Sequence, residues 1–255
     1  TPDAHFLTEV RYKGTKVVSV SPDYAESTTS SDAWLNVKAG TDAALAMAMG
    51  HVILKEYYID KETPYFKEYA KEFTDMPFLV RVEDINGAVQ PGRFLNAKDL
   101  GSKEDGADFQ TVLIDETTNE IVVPNGTMGD RHTNPQKWNL RLENRNTGAK
   151  IDPRLSVFDQ REDVTVVKLP YFGDEEHEGV IERAIPTITV QTVDGPVKVT
   201  TVYDLILANY GIDRGIGGEV ATSYTDDTPY TPTWQEKITG VKAEIAIATA
   251  REFAD

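Results

Sequence analysis

Two short segments combine residue types and spacing that could hold a nucleotide. The first is Ser21-Pro22-Asp23, which follows the β-branched run Lys16–Val20 (KVVSV). In a dinucleotide-binding βαβ unit, a phosphate rests on the first helix's N-terminus, and an acid about 20 residues further on holds the ribose hydroxyls. Here Thr1-Pro2-Asp3 reads as a helix start: Thr1 as cap, Pro2 at the first helical position, Asp3 at the positive end of the dipole. Asp23 lies at that interval from it. An Asp after a strand is also ordinary turn chemistry, so spacing alone leaves both readings open. The second segment is Gly40-Thr41-Asp42. Glycine permits close backbone approach, Thr41 can cap the following helix, and the Asp42 carboxylate can accept N–H groups from a guanine edge or from the helix's first turn.

Other residue groups carry less. Gly211–Gly218 (GIDRGIGG) lacks a Gly-Lys-Ser/Thr ending and reads as a loop rather than a phosphate-binding P-loop. His5 and His51 fall on predicted helices, His132 and His177 in polar loops, and no HExxH pair exists, so the histidines read as structural or solvated. The acidic run Asp174–Glu178 lacks the ordered oxygen spacing of a calcium loop and reads as solvated. No Gly-x-Ser-x-Gly elbow supports a serine nucleophile.

The two nucleotide-type segments need an α/β frame, and the N-terminal pattern supplies one. A helix from Ala4 to about Lys13 stops at Gly14. KVVSV suits a strand buried on both faces of a parallel sheet, and Asp32–Val37 a second strand. Thr41 to about Tyr58 reads as a long helix, apolar nearly all round, and Pro64 to Phe73 as another that ends near Met76-Pro77. From Leu79 to about Thr200 the helical period disappears. Asn86-Gly87, Asn125-Gly126 and Asp194-Gly195 are hairpin-type dipeptides there. Thr111–Asp115 with Glu120–Val123, and Ile185–Val193 with Val197–Val202, read as antiparallel ribbons. Helix returns at Val202–Tyr210 and from about Thr233 to the end. The expected fold class is α/β: a partial, three-layer, dinucleotide-binding-like domain with a β-rich insertion. Its expected divisions are 1–78 as half of a nucleotide-binding domain, 79–200 as the insertion, and 201–255 as a helical return.

Composition narrows the function classes. The 255 residues include 26 basic and 42 acidic side chains, a net charge of −16, and no cysteine. That balance opposes non-specific binding to nucleic acid or an anionic membrane. Without cysteine, the chain itself supplies no disulfide, thiolate zinc site or iron–sulfur ligand. No apolar run reaches the ~20 residues that cross a bilayer. A start at a helix cap and an end on a helix's last turn suggest a piece of a longer polypeptide.

The segments TPDAHFLTEVRYKGTKVVSVSPDYAES and AGTDAALAMAMGHVIL, with VTTVYDLILANYG, ATSYTDD, YTPTWQEKITGV and AREFAD, carry a resemblance. They resemble the catalytic alpha chains of membrane-bound respiratory nitrate reductases, molybdenum enzymes of the dimethyl-sulfoxide-reductase family. The likeness covers nearly the whole chain, more loosely over residues 96–180, and the chain would be about a fifth of such a subunit. It implies molybdenum held by two molybdopterin guanine dinucleotides, an iron–sulfur cluster whose ligands lie outside this chain, and reduction of nitrate to nitrite in anaerobic respiration. It places Ser21, Pro22 and Asp23 at the family's strand-end acidic motif, and Gly40, Thr41 and Asp42 at its second nucleoside-contacting loop. It assigns this chain no catalytic residue and no metal ligand. The implied partners are an electron-transfer iron–sulfur subunit and a membrane cytochrome subunit, at the cytoplasmic face of the cell membrane. The resemblance implies no activity for these residues alone. The alternatives are a sister molybdoenzyme acting on another oxyanion or an organic substrate, and a non-catalytic assembly or binding module.

Overall fold

The computed structural model describes residues 2–126, 141–171 and 179–255. Thr1, His132, His177 and the run Asp174–Glu178 lie outside the described residues, and the expectations placed on them go no further. In chain order the elements are α1 (Pro2–Tyr12), β1 (Val18–Val20), α2 (Glu26–Thr29), β2 (Ala33–Leu35) and α3 (Asp42–Ile53). A π-helical stretch, Leu54–Asp60, and α4 (Pro64–Phe73) follow. Then come β3 (Leu79–Ile85), β4 (Ala88–Phe94), β5 (Leu113–Ile114), β6 (Ile121–Val122), β7 (Pro124–Asn125) and β8 (Arg141–Asn144). The last are β9 (Asp163–Pro170), β10 (Val180–Thr192), β11 (Gly195–Thr201), α5 (Val202–Asn209), α6 (Pro232–Thr239) and α7 (Ala243–Ala254). They form two units: a discontinuous one, residues 1–53 with 221–255, and a central one, residues 54–220. The boundaries thus lie at 53/54 and 220/221, whereas the composition changes near 78 and 200.

In the discontinuous unit, β1 and β2 pair in parallel, with Val18 opposite Ala33, Ser19 opposite Trp34 and Val20 opposite Leu35. The expectation that KVVSV is buried on both faces is corrected. Only Val18–Val20 is strand, in a sheet of two strands, and Val20 is 46% exposed. Alternation places Leu35 in a core with Val37, Leu45, Val241 and Ala246, against which Val18 and Met49 pack. The long helix is also corrected: it is α-helical only to Ile53 before the π-helical stretch, and Ala43 and Ala46 are exposed. The C-terminal stretch is helical as expected, in two pieces. Gly240, at φ +81°, breaks it into α6 and α7.

The central unit holds a five-stranded antiparallel sheet in the order β4-β3-β11-β10-β9. β10 changes partner along its length: Val180–Thr187 pair with β9, Ile188–Thr192 with β11. Pro186, which has no N–H to give, sits beside the changeover. The edge strands β4 and β9 approach each other, so the sheet curls. Its core gathers Leu79, Leu95, Val112, Val157 and Val199, all fully buried. Asn86-Gly87 turns the β3–β4 hairpin as expected, both residues at positive φ (+58° and +81°). The ribbon β5–β6 and the hairpin β10–β11 also form where the alternation placed them. Thr192 faces Gly195, however, so the second turn is Val193-Asp194 rather than Asp194-Gly195. Asn125-Gly126 makes no tight hairpin, because β7 pairs with the distant β8. Mixed helix and strand content with a curled antiparallel sheet is therefore the fold class that the coordinates establish.

Candidate functional site

Both sequence-singled triplets follow the carboxyl ends of the parallel pair. Ser21-Pro22-Asp23 follows β1, and Gly40-Thr41-Asp42 joins β2 to α3. Loops at this end of parallel strands are where open α/β sheets bind ligands, because strand ends and helix starts converge there. The parallel register thus places both triplets on segments that leave the same end of one strand pair.

Each loop is held by its neighbours. The Ser21 N–H extends the ladder to the Leu35 carbonyl at 3.2 Å, and the Trp34 indole N–H donates to the Ser21 carbonyl at 2.9 Å. The Ser21 hydroxyl donates to Asp23 Oδ1 at 3.1 Å and accepts the Asp23 N–H at 3.4 Å, a local turn that leaves the Asp23 side chain in solvent. Gly40 sits third in a turn closed by the Thr41 N–H on the Lys38 carbonyl (3.2 Å), where φ +78° suits glycine. Nothing lies within 4 Å of where its Cβ would be, so this backbone faces open space. The expected Thr41 cap takes another form. Its hydroxyl donates to the Lys38 carbonyl at 2.6 Å and so tightens the turn, while its carbonyl accepts the Ala44 N–H at 3.1 Å. Asp42 is the exposed first residue of α3.

Sequence reasoning missed two groups of supporting residues. The Lys38 N–H donates to the Thr239 carbonyl at 2.9 Å, so the second loop hangs on the C-terminal segment. That segment is fixed by Gln235, fully buried, whose Nε2 donates to the Val241 carbonyl (2.8 Å) and whose Oε1 accepts from the Thr239 hydroxyl (2.7 Å). Second, Asp32 ties the start of β1 to α1. It accepts from Arg11 (2.7 Å) and from the Val17 N–H (2.8 Å), which hold its carboxyl below the usual range. Neither has a motif; both follow from tertiary contact. A buried His51 lies edge-on to Tyr224 at 5.9 Å, and His5 reaches Glu9 at 3.0 Å on an exposed face, which are structural and solvated roles respectively.

The central unit contains a cleft of about 490 Å³ lined by Tyr58, Lys67, Lys71, Arg154, Tyr203 and Arg214. Its cations are all matched: Lys67 by Glu62 (2.6 Å), Lys71 by Asp152 (2.5 Å), Arg154 by Glu116 (2.6 Å) and Arg214 by Asp204 (2.5 Å). Burial pushes the Tyr58 phenol up and the Tyr203 phenol well above its ordinary value, so neither is a base near neutral pH. Each lysine and arginine of the cleft is therefore engaged by a carboxylate, and Asp159 adds a further acid to its lining. Among the described residues, no group of three or more His, Cys, Asp or Glu side chains could hold a metal ion. No described helix is long and apolar enough to cross a membrane.

Comparison with known proteins concerns the chain as a whole. A model of the family described as molybdopterin oxidoreductase matches residues 1–238. The nitrate reductase alpha chain of Bacillus subtilis (strain 168) is 50% identical over 254 residues, covering 100% of this chain and 21% of the relative. The respiratory nitrate reductase 1 alpha chain of Escherichia coli (strain K12) is 46% identical over 268 residues, again 100% of this chain and 21% of the relative. The perchlorate reductase subunit alpha of Dechloromonas aromatica (strain RCB) is 30% identical over 257 residues, with 99% and 22% covered. The chain therefore spans about a fifth of the length of these curated relatives.

Proposed function

The chain belongs to the molybdopterin oxidoreductase family, and on that premise we propose that its parallel strand edge holds the nucleoside end of a molybdenum–pterin cofactor. The family implies such a cofactor; the proposal adds its guanine dinucleotide form and these residues. One observation carries it: two exposed carboxylate loops follow the same end of one parallel strand pair. The residues present fit that role. A carboxylate can accept both the N1–H and the 2-amino N–H of guanine, while adenine offers it an unprotonated N1 instead. Asp23, at the end of β1, is the acid for the first nucleoside contact, and Asp42 with the open Gly40 backbone forms the second. Ser21 and Pro22 shape the first loop; Thr41 sets the turn of the second. Residues 1–53 with 221–255 are thus part of a nucleotide-binding domain.

When bound, the cofactor supplies oxygen-atom transfer and the electrons that accompany it. This chain's part is to bind and orient the nucleoside, and the reaction centre lies elsewhere in the complete polypeptide. The proposed reaction of that polypeptide is reduction of nitrate to nitrite in anaerobic respiration, supported by 44–50% identity to six nitrate reductase alpha chains or subunits over the whole of this chain. Iron–sulfur centres would deliver the electrons. The relatives are named as alpha chains, which implies a multisubunit complex, and the proposed partners are an electron-transfer iron–sulfur subunit and a membrane cytochrome subunit at the cytoplasmic face. Membrane association would then come from partners.

The test is the guanine nucleotide content of the complete polypeptide after acid release. Asp23→Ala combined with Asp42→Ala is expected to lower GMP per protein at least severalfold; full retention in the double variant would overturn the assignment. The perchlorate reductase relative, at 30% identity over nearly the whole chain, favours a second reading: a sister enzyme for another oxyanion. Turnover of nitrate against chlorate and perchlorate by the complete protein separates the two. The 255-residue chain itself is expected to be inactive with reduced viologen and nitrate.

A further inference from the structure

We infer that Tyr24 and Trp34 are the aromatic part of this nucleoside site: Tyr24 stacks on the purine ring, and Trp34 is a positioning residue for the Asp23 loop. The inference rests on the nucleoside reading of the strand edge. Strand alternation separates these rings from the core, since Leu35 points inward at 3% exposed while Trp34, facing Ser19 across the ladder, lies on the opposite side at 37%. Tyr24 is 64% exposed. Its ring meets Trp34 in a T-shaped contact, centroids 5.3 Å apart at 76°, which constrains the tyrosine's orientation and leaves at least one of its faces open. The hydrophobic core of this unit uses neither ring.

Trp34 acts through a bond rather than through area. Its indole N–H reaches past the end of β1 to the Ser21 carbonyl at 2.9 Å, and Ser21 in turn holds Asp23 Oδ1 at 3.1 Å. A tether from the neighbouring strand therefore sets where the carboxylate points, while the adjacent residue presents an aromatic face. Carboxylate and ring divide the work of recognition. Stacking is tolerant of base identity, since every base has a π-face. Hydrogen bonding to a fixed carboxylate discriminates, because a mismatched donor or acceptor pattern leaves groups unpaired.

The division gives separable outcomes when the chain is titrated with GMP and AMP by calorimetry. GMP is expected to bind more tightly. Tyr24→Ala should raise both dissociation constants at least about fivefold, the lower end of one base–aromatic stack, and leave their ratio unchanged; Tyr24→Phe should restore both. Trp34→Phe keeps a ring but loses the N–H, and should move the GMP:AMP ratio towards one with an unchanged unfolding midpoint. A role confined to packing would move the midpoint and not the ratio. If Asp23→Ala or Asp42→Ala weakens GMP while Tyr24→Ala and Trp34→Phe do nothing, the aromatic inference falls and the nucleoside reading stands. If GMP does not bind, or binds indifferently to both aspartates, both fall.

Discussion

The buried aspartates of the central unit and the loop aspartates of the discontinuous unit are treated in opposite ways. In the central unit Asp204, 1% exposed, is satisfied from every side. It accepts from Arg214 (2.5 Å), the Ser156 hydroxyl (2.6 Å), the Val157 N–H (2.9 Å) and the Thr201 hydroxyl (2.9 Å). Asp99, 5% exposed, is likewise held by Arg93 and the Asn96 N–H. In the discontinuous unit, Asp23 stands exposed just after β1, next to a ring pair that the core does not use, and Asp42 stands exposed at the start of α3. Closed networks hold a fold together because a buried charge must be matched. Open acceptors at a strand edge add little stability and leave recognition groups free for a ligand.

That contrast can be broken, most forcefully at Asp204. Asp204→Ala leaves Arg214, whose side chain is 11% exposed, without its carboxylate, and should cost about 3–5 kcal/mol in denaturant unfolding of the chain. A loss below about 1 kcal/mol would mean that the network contributes little. Gly218→Ala comes next. At φ +85° an added Cβ would lie 2.6 Å from the Ala184 backbone nitrogen, beside the Arg183–Gly218 bridge, so a destabilisation of about 1–3 kcal/mol is expected. A thermal melt matching wild type would show that this approach can relax.

Acid should weaken the central unit's network at Asp99. Burial pushes the Asp99 carboxyl up, but Arg93, the Asn96 N–H and Arg81 together outweigh it, and the net shift is downward. Its folded pKa therefore lies below the unfolded value near 3.9, so its contribution is complete above about that pH and is lost as pH falls through the folded pKa. Arg93→Ala should raise the midpoint of acid unfolding and cost at most about 1 kcal/mol at neutral pH, since the Arg93 side chain is half exposed. An unmoved acid midpoint would remove Asp99 from the argument. The smallest effects belong to the strand edge: Asp23→Ala and Tyr24→Ala, both at exposed positions, should change stability by less than about 0.5 kcal/mol. A larger loss would make them structural and weaken the case for a ligand.

Local rules were legible where the answer is local. Asn86-Gly87 turned its hairpin because both residues tolerate positive φ, and Pro64–Phe73 formed the helix its pattern outlines. The same reasoning failed at Asn125-Gly126, where the dipeptide is present but β7 pairs with β8 across residues 127–140. It failed at Val20, whose β-branched run suggested burial that a two-stranded sheet does not provide. For Asp204 the only sequence hint is Thr201 three residues earlier, a capping-box spacing that does occur; nothing in the chain points to Arg214 or Ser156. Ser21–Asp23 and Gly40–Asp42 were found by spacing, yet spacing could not choose between turn and ligand site.

The sequence by itself determined the residue inventory, the punctuation of helices and turns, and the family, because these depend on side-chain type and on contacts a few residues apart. Tertiary structure alone decided that the two aspartate loops share one end of a parallel pair, that Trp34 tethers one and Thr239 the other, and that the lysines and arginines of the central cleft are already matched. Those are long-range pairings, set by which surfaces pack together when the chain collapses, and no local pattern encodes them.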